Sequence, residues 1–338
     1  MKVLFDSYST VFQNKAGGMQ KRIQKIASLL TARGIQVDYF DKFSTRLDEY
    51  DVLHVFMLSS ESYTIIKAMK ELGKRVIISS VIPDQTFRLT DRVRRLIGEY
   101  YNGSMMHVVT SCAQMADTII CETYHEARYV QRIYGIPQQK IRVIPNGVPE
   151  RIPETDSIFE MIGGRKEYIL QVGRFEENKN QLRLIRAMKN TDTHVVFVGG
   201  PNILERSAYY DACLTEAGND PHYNFLGWHD SSDGILASAY AHAKLLVMPS
   251  FMETFGLVLL EAGIAGAKLA MSSTIPIGEY PVFNHCRKFD PSNEQDIRRK
   301  VLQALADPVD PTFIRQLQDT FSWKSVIDQH IELYRGNE

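Results

Sequence analysis

The sequence lacks the features that mark several classes of protein. Its four cysteines, Cys112, Cys121, Cys213 and Cys286, are far apart and form no Cys-x-x-Cys pair, so neither a disulfide framework nor a zinc site is indicated. No run approaches the roughly 18 apolar residues that a membrane span needs. The opening residues, MKVLFDSYST, hold too few apolar side chains for a signal peptide. We therefore expect a cytoplasmic protein with reduced thiols.

Charge and motif content exclude further functions. The formal net charge of −1 argues against a general nucleic-acid binder, which would usually be strongly basic. No Gly-x-Gly-x-x-Gly follows the first expected strand, which disfavours a dinucleotide-dependent dehydrogenase. Asp-x-Asp, the usual carboxylate pair of metal-dependent sugar transferases, does not occur. Neither a metal site nor a bound cofactor is therefore expected.

Apolar runs that suit buried strands alternate with helix-like segments along most of the 338 residues. Helical spacing is clear in Ile23, Ile26, Ala27 and Leu30, and Gly34 follows where that helix should end. The expected strands are residues 2–6, 36–40, 52–56, 75–79, 118–121, 141–144, 168–172, 194–198, 245–248 and 268–271. Such alternation predicts an α/β protein with parallel sheets covered by helices on both faces.

Residues 145–153, PNGVPERIP, are dense in turn residues and are expected to be a linker. The chain length also favours two domains of ordinary size. The sequence therefore predicts two α/β domains in tandem. Ligands of open α/β sheets lie at the carboxyl ends of the strands, so the loops that follow the strands are the candidate sites. Two such domains facing each other would form a cleft lined by these loops.

The most distinctive of these loops lies in PSFMETFGLVLLEAGIAGA, residues 249–267. Glu253 and Glu261 bracket seven uncharged residues, and Glu261 needs a hydrogen-bonding partner because a lone carboxylate is costly to bury. We expect Glu253 in a loop and a helix that starts near Thr254, whose N-terminus would suit phosphate. A capped core helix with one paired Glu is the structural alternative.

Two other strand-end loops carry candidate phosphate contacts. Gly17 and Gly18 open the first helix, where glycine permits a close approach of the backbone to an anion. Arg174 and Lys179 flank the turn after the first strand of the second half, and both side chains neutralise phosphate. Ordinary turn glycines and solvated surface charges are the alternatives.

These residues together resemble the retaining glycosyltransferases of family 4. The resemblance lies in Gly173-Arg174 with Asn178-Lys179, in Phe225-Leu226-Gly227, in Pro249-Ser250, and in Glu253 through Phe255-Gly256-Leu257 to Glu261. It implies the GT-B fold, two Rossmann-like domains facing each other across a cleft. An acceptor-side domain would span residues 1–148 and a nucleotide-sugar donor domain residues 149–320. A final helix within residues 321–338 would cross back to the first domain.

The resemblance also implies roles for individual residues. Arg174 and Lys179 would grip the donor diphosphate and stabilise the leaving group, which is commonly the largest catalytic contribution. Glu253 would orient hydroxyls of the donor sugar, and Glu261 would accept hydrogen bonds from the ribose. The remaining implied donor contacts are mostly backbone groups, at Gly17, Gly18, Gly173, Gly199, Gly200, Gly227, Thr254, Phe255, Gly256 and Leu257.

One position departs from the family pattern. Members often place a histidine after the fourth strand, whereas this chain has Pro83 followed by Asp84. Asp84 is either a catalytic group near the anomeric carbon or an ordinary turn residue after a proline. His54 and His107 each lie in an apolar run, where a core histidine is the simpler interpretation.

The acceptor is expected on the first domain. Residues 87–106 suit an amphipathic helix with Arg88, Arg92 and Arg95 on one face. That face could meet a lipid-linked acceptor or the inner surface of a membrane as a peripheral contact, or it could be a solvated face of a core-packed helix.

The resemblance thus implies a metal-independent hexosyltransferase that moves a sugar from a nucleotide-diphosphate sugar to a glycan or lipid-linked acceptor in cell-surface polysaccharide biosynthesis. A catalytically silent nucleotide-sugar-binding subunit, or a hydrolase or epimerase on the same fold, are the alternatives. The sequence leaves the base, the sugar, the linkage and the oligomeric state open.

Overall fold

The computed structural model describes residues 1–12, 18–82, 85, 104–153, 156–164, 167–201, 208–229 and 234–336. The chain contacts divide it into two compact units. Unit 1 comprises Met1–Gly147 with Trp323–Glu338, and unit 2 comprises Val148–Ser322. Unit 1 is therefore built from both ends of this sequence, and unit 2 from one continuous stretch.

Unit 1 contains a six-stranded sheet whose neighbouring strands are all parallel, in the order β2-β1-β3-β4-β5-β6. The strands are β1 Lys2–Ser7, β2 Gln36–Tyr39, β3 Val52–Phe56, β4 Arg75–Ser79, β5 Thr118–Cys121 and β6 Ile141–Val143. The described helices of this unit are α1 Gly18–Ala32, α2 Tyr63–Glu71, α3 Met105–Met115, α4 Tyr124–Tyr134 and, from the end of the chain, α12 Trp323–Arg335.

Alternation along the unit 1 strands feeds two separate cores. In β1, Val3 and Phe5 pack with residues of α1 and α12, whereas Leu4 packs on the other face with residues of α2 and α3. This is the period of two that a sheet covered on both faces requires. Between β2 and β3 and between α4 and β6 lie short 3-10 helices, Leu47–Glu49 and Gln138–Lys140.

Unit 2 contains a second parallel six-stranded sheet, in the order β12-β11-β10-β7-β8-β9. Its strands are β7 Ile169–Val172, β8 Val195–Val198, β9 Tyr223–Phe225, β10 Leu245–Met248, β11 Lys268–Ser272 and β12 Arg287–Phe289. Its described helices are α5 Ile158–Met161, α6 Gln181–Met188, α7 Ala208–Ala217, α8 Ile235–His242, α9 Leu257–Ile264, α10 Glu294–Ala306 and α11 Phe313–Phe321. Three 3-10 helices, Glu177–Lys179, Pro276–Glu279 and Pro281–Phe283, lie between them.

The structure confirms the predicted α/β class and places each predicted strand within one residue of its expected limits. It adds two strands that the sequence analysis missed, β9 and β12. Each has only three residues and is partly exposed, so neither presents a continuous apolar run. The predicted thiols are buried and unpaired. None of the helices in the described part of the chain has the length and hydropathy of a membrane span.

Each sheet has one place where the direction of strand addition reverses. In unit 1 the chain adds β2 on one side of β1 and then β3 on the other; in unit 2 β8 and β9 extend one side of β7 before β10 joins the other. Ligands of such sheets bind beyond the carboxyl ends of the strands at this switch point. The two candidate ligand sites are therefore the β1/β3 edge and the β7/β10 edge.

Candidate functional site

Three loops meet at the carboxyl edge of the unit 2 sheet, after β7, β8 and β10, which are adjacent strands. They are residues 173–180, residues 199–201 and residues 249–256. Because parallel strands end at the same edge, loops that are far apart in sequence lie side by side here. The candidate donor residues of this unit lie in these loops and in the elements next to them.

The centre of this edge is an ion pair between Lys179 and Glu253. The Lys179 Nζ atom lies 2.6 Å from Glu253 Oε1, and the Ser250 hydroxyl donates to the same oxygen at 2.7 Å. The two charged side chains are only 23% and 13% exposed. An unpaired charge with so little solvent would be costly, so each partner holds the other in place.

Arg174 presents the opposite case. Its side chain is 54% exposed, and its guanidinium lies 3.9 Å from the Glu176 carboxylate. A pair this exposed contributes little stability. The backbone of Arg174 is held more firmly, because its carbonyl accepts a hydrogen bond from Gln181 Nε2 at 2.8 Å. The loop is therefore fixed while the cationic head group stays in solvent.

Two asparagines that the sequence analysis did not single out as site residues in their own right join the loops. Asn178 donates from Nδ2 to the Met252 carbonyl at 2.9 Å, and its own carbonyl accepts from the Phe251 N–H at 2.8 Å. Asn180 is buried in a left-handed conformation with φ of 59°, which asparagine tolerates better than most residues. Its side chain donates to the carbonyls of Pro249 and Pro291 at 3.0 and 2.8 Å. The run Asn-Lys-Asn was the available signal.

The predicted glycines form the floor of this edge. Gly199 has φ of 135° and donates from its N–H to the Gly227 carbonyl at 2.7 Å. A Cβ on Gly199 would overlap the Gly173 carbonyl oxygen, and a Cβ on Gly200 would run into the Trp228 indole. Close packing therefore favours glycine at both positions, against backbone at Gly199 and against a side chain at Gly200.

The helix that carries Glu261 begins later than predicted. Gly256 precedes it with φ of 101° and ψ of 51°, so the first helical residue is Leu257 and the expected start near Thr254 is wrong. Thr254 is partly buried and Phe255 is packed in the core of unit 2, so both belong to the loop ahead of the helix. The prediction did not allow for the left-handed conformation that glycine adopts at the entry of this helix.

Glu261 lies in the second turn of α9 and has the partner that its setting demands. The hydroxyl of the buried Tyr240 donates to Glu261 Oε2 at 2.8 Å. Burial, and then the neighbouring Glu261 carboxylate, raises the pKa of Tyr240 well above its ordinary value, so the phenol stays a donor. The carboxylate is only partly buried and is oriented by this bond.

Of the site residues expected in unit 1, Gly18 is exposed and is the first residue of α1. Gly17 and Asp84 lie outside the described residues, as does most of the expected amphipathic helix over residues 87–106. Among the residues that the structure does describe, no group of three or more His, Cys, Asp and Glu side chains is placed to hold a metal ion.

A buried carboxylate that the sequence analysis missed lies at the carboxyl edge of unit 1. Glu126 Oε1 accepts from the Ser80 hydroxyl and the Ile82 N–H, both at 2.9 Å, and Oε2 accepts from the Glu122 N–H at 2.7 Å. Burial, and then the Glu122 carboxylate, raises the pKa of Glu126 to about 7. Glu122 itself is ion-paired with the buried Arg22 of α1. The capping pattern Thr123-x-x-Glu was the signal.

The two histidines predicted to lie in the core, His54 and His107, differ in burial. His54 is fully buried, with Nδ1 2.7 Å from the Tyr334 hydroxyl and Nε2 2.9 Å from the Ser79 hydroxyl. Burial lowers the pKa of His54 well below its ordinary value, so it is a neutral core histidine, as predicted. His107 lies in the first turn of α3 and is only partly buried, which does not match a core position.

Two family models match the chain. The model described as Glycosyltransferase Family 4 matches residues 39–151, and the model described as Glycosyl transferases group 1 matches residues 154–318. The first range falls almost wholly within unit 1, and the second lies within unit 2. Together they cover most of the chain.

The alignments with curated relatives cover only part of each relative. A 41.2 kDa uncharacterized protein in the cps region of Klebsiella pneumoniae is 29% identical over 174 residues, 49% of this chain and 46% of that protein. D-inositol 3-phosphate glycosyltransferase of Corynebacterium kroppenstedtii is 33% identical over 117 residues, 31% and 26% of the two chains. O-antigen chain mannosyltransferase B of Escherichia coli is 29% identical over 178 residues, 50% and 45%. The chain thus spans less than half the length of each of these relatives.

Solved structures match over the whole chain. Sucrose-phosphate synthase from Thermosynechococcus elongatus superposes with a TM-score of 0.77 at 18% identity, over 99% of this chain and 98% of that chain. The Anabaena protein HepE, in complex with UDP, gives 0.76 at 16% identity, over 99% and 100%. Likeness at these identities shows the fold. With both family models matched, the chain belongs to the family 4-type glycosyltransferases of the GT-B fold.

Proposed function

We propose that the chain is a retaining, metal-independent glycosyltransferase. It transfers a sugar from a nucleotide-diphosphate sugar to a glycan or lipid-linked acceptor, in the synthesis of a cell-surface polysaccharide. The observation that carries the proposal is the β7/β10 edge, where the partly buried Lys179–Glu253 pair lies in the same loops as the exposed Arg174. Two cations, Arg174 and Lys179, beyond the strand ends at a switch point suit a diphosphate.

In the proposed complex the two cations have different tasks. Lys179 is held in place by Glu253 before any ligand arrives, so its charge is preorganised. Arg174 is exposed and supplies a planar guanidinium that can turn onto a phosphate. Both would stabilise the negative charge that grows on the diphosphate as the sugar leaves. The proposal of metal independence rests on these two side chains.

The carboxylates of α9 and its loop would hold hydroxyl groups. Glu261 accepts the Tyr240 hydroxyl on Oε2, and a carboxylate has about four lone-pair sites, which can serve several donors at once, such as ribose hydroxyls. Glu253 would hold a hydroxyl of the donor sugar beside the Lys179 ammonium. The adjoining glycines would contact the nucleotide through main-chain groups.

In the transfer step an acceptor hydroxyl oxygen forms a bond to the anomeric carbon on the face from which the diphosphate departs. The bond from that carbon to the phosphate oxygen breaks, and the hydroxyl proton passes to the leaving diphosphate. The electron pair of the broken bond stays on the phosphate, beside Arg174 and Lys179. This order of events retains the anomeric configuration and needs no histidine at Pro83.

The names of similar proteins support the donor and the pathway class. HepE was solved with UDP and with UDP-glucose, and one of the relatives is an O-antigen chain mannosyltransferase. We therefore extend to this chain a nucleotide-sugar donor and a surface-glycan acceptor. A panel of nucleotide sugars, assayed for slow donor hydrolysis and for binding by thermal shift, tests the first part.

Hydrolysis of one donor, unaffected by excess EDTA, is the expected result. The product formed from the same donor and an acceptor should keep the anomeric configuration of the donor, which its anomeric proton coupling in ¹H NMR measures. Binding without turnover would identify a silent nucleotide-sugar-binding subunit, and release of free sugar with every acceptor, or an altered nucleotide sugar, would identify a hydrolase or an epimerase. An inverted product would overturn the retaining mechanism, and loss of activity with EDTA the metal independence.

A further inference from the structure

Unit 1 contains a cavity of about 740 Å³ at its own switch point. Its walls come from the ends of β1 and β2 and from the first turns of α2, so it opens at the carboxyl edge of the sheet. A volume of this size lies within the range of small-molecule sites, about 300–1,000 Å³. None of the site residues that the structure describes lines it.

The cavity has aromatic walls that are open to solvent. Tyr39 is 45% exposed, Phe12 is 39% exposed and Phe43 is 87% exposed. The rings of Phe12 and Tyr39 meet edge to face with centroids 5.5 Å apart, and Tyr39 meets the buried Phe5 in the same way at 6.3 Å. Exposed aromatic side chains grouped in one concave place mark a binding surface.

Carboxylates line the same cavity. Asp6 accepts a hydrogen bond from the Ser62 hydroxyl at 2.5 Å, and Glu61 accepts from the Ser9 N–H at 2.7 Å. Asp41 accepts from the Ser44 hydroxyl, also at 2.5 Å. A carboxylate has about four lone-pair sites, so each retains capacity to accept hydrogen bonds from a ligand.

Charge decides between ligand classes. Asp6, Asp41 and Glu61 line the cavity with one cation, Lys42, among the described lining residues. The Lys42 ammonium lies 4.8 Å from the centroid of the Phe43 ring, at the exposed rim. A phosphate in this cavity would face three like charges against one opposite charge, whereas a hydroxyl group would find acceptors.

We propose that this cavity binds the acceptor of the reaction, and that the part of the acceptor it holds is a neutral, hydroxyl-rich saccharide unit. The sugar's hydroxyls donate to Asp6, Asp41 and Glu61, and its C–H face packs on Tyr39 and Phe43. This assignment rests on the proposed function, since only a transferase needs an acceptor. It places recognition of the acceptor sugar next to β1 and β2.

Saturation-transfer difference NMR on the full chain tests the assignment. The probes are methyl α-glucoside and methyl α-mannoside as neutral sugars, glucose 6-phosphate as the anionic counterpart, and octyl glucoside as the sugar with an alkyl chain. Aromatic protons are saturated, and transfer to sugar ring protons is followed. We expect saturation transfer to at least one neutral glycoside and weaker transfer to the ring protons of glucose 6-phosphate.

Substitutions locate the binding. Phe43→Ala and Tyr39→Ala are each expected to weaken glycoside binding by about tenfold, the loss that removing an aromatic contact of about 1.4 kcal/mol would cause. Leu72→Ala, at a residue 47% exposed just after α2, is the matched control and should leave binding unchanged. Circular dichroism and thermal melts establish that all variants are folded.

A charge substitution tests the ligand class independently. Glu61→Gln should weaken binding of the neutral glycoside by about fivefold, because a charged acceptor becomes a neutral one. It should also raise the affinity for glucose 6-phosphate relative to the glycoside. Glu71→Gln, at the other end of α2, is the control and should change neither.

The assignment is overturned if the aromatic variants bind glycosides as the wild type does, if glucose 6-phosphate binds as well as the neutral sugars, or if no sugar binds. It is also overturned if octyl glucoside receives saturation on its alkyl protons alone, which would indicate a lipid site. Donor binding, measured on the same variants by thermal shift, establishes whether a loss is confined to the saccharide site. A wild type that binds glycosides but no nucleotide sugar would reject the proposed function and leave the saccharide site standing.

Discussion

The two units use one architecture and differ in what lines the switch point. At β7/β10 of unit 2 the loops hold an ion pair, an exposed arginine and glycines packed backbone to backbone. At β1/β3 of unit 1 the corresponding edge holds exposed aromatic rings and three carboxylates around a cavity. The fold fixes where a ligand binds, and the loop side chains fix which ligand it is.

The difference also concerns rigidity. In unit 2 the side chains of Asn178 and Asn180 hydrogen-bond across to the loop after β10, so the loops form one body. In unit 1 the Phe43 side chain at the rim is 87% exposed, so little of the protein holds it. A diphosphate is best stabilised by charges that are held in place before it binds. A saccharide can bind to side chains that adjust to it. The following substitutions break or sharpen this contrast.

Arg174→Ala should have the largest effect. Removal of one of the two cations that would stabilise the leaving diphosphate is expected to lower kcat by about a hundredfold to a thousandfold. Because the side chain is 54% exposed, the free energy of unfolding should change by no more than about 0.5 kcal/mol. Steady-state kinetics and urea unfolding measure the two. Arg315→Ala, an exposed arginine of α11, is the control, and equal losses of activity and stability at Arg174 would make its role structural.

Gly199→Ala tests the close packing that is particular to the unit 2 edge. Both Gly199 and Gly266 have positive φ, 135° and 97°, but a Cβ has open space only at Gly266. Strain from φ is common to both variants, so Gly199→Ala should cost about 1–3 kcal/mol more than Gly266→Ala, the usual cost of overpacking. Denaturant unfolding compares them. Equal costs would mean that the approach of Gly199 to Gly173 does not require glycine.

Glu261→Gln tests whether this carboxylate serves the nucleotide. The loss of charge-assisted hydrogen bonds should weaken donor binding by about 1.5–3 kcal/mol, measured by titration calorimetry. Glu294→Gln, in α10, is the control and should bind the donor normally. Tyr240→Phe should have a smaller effect, because Glu261 keeps its charge and loses only the bond that orients it. Unchanged affinity in Glu261→Gln would reject the ribose role.

Glu126→Gln contrasts the two units through the pH dependence of their stability. It should have the smallest effect of the four substitutions. The folded pKa of about 7 lies above the ordinary 4.5, so this carboxyl stabilises unit 1 fully below pH 4.5 and loses that contribution as the pH rises to about 7. The variant lacks this dependence. Its stability deficit relative to the wild type should therefore shrink between pH 5 and pH 7.

Hydrogen–deuterium exchange of peptides from α4, corrected for the intrinsic rate at each pH, measures that deficit. Glu216→Gln in unit 2 is the control of opposite sign, since hydrogen bonds from Lys189 and Arg186 lower the pKa of the Glu216 carboxyl. Its deficit, followed in peptides from α7, should stay constant over the same interval. A constant deficit for Glu126→Gln would contradict the raised pKa.

The sequence predicted what depends on local pattern. Strands such as β3 and β10 are continuous apolar runs, and Gly173-Arg174 and Asn178-Lys179 are motifs in consecutive residues. Pairing at a distance was not accessible. Lys179 and Glu253 were both named, but their contact joins residues 74 positions apart through strand order. The cavity of unit 1 was missed for the same reason, because its aromatic residues come from the end of β2 and from the segments after β1 and β2, and each alone is an ordinary surface residue.

The helix α12 gives the protein an order of assembly during synthesis. Unit 2 is complete in the nascent chain once Ser322 has been made, whereas the core of unit 1 still lacks Val326, Ile331 and the Tyr334 hydroxyl that contacts His54. Domains generally fold as units while they emerge from the ribosome, the N-terminal one first. Here the first part to emerge must wait for α12, so unit 1 stays open to chaperones and proteases until Trp323–Arg335 has been made.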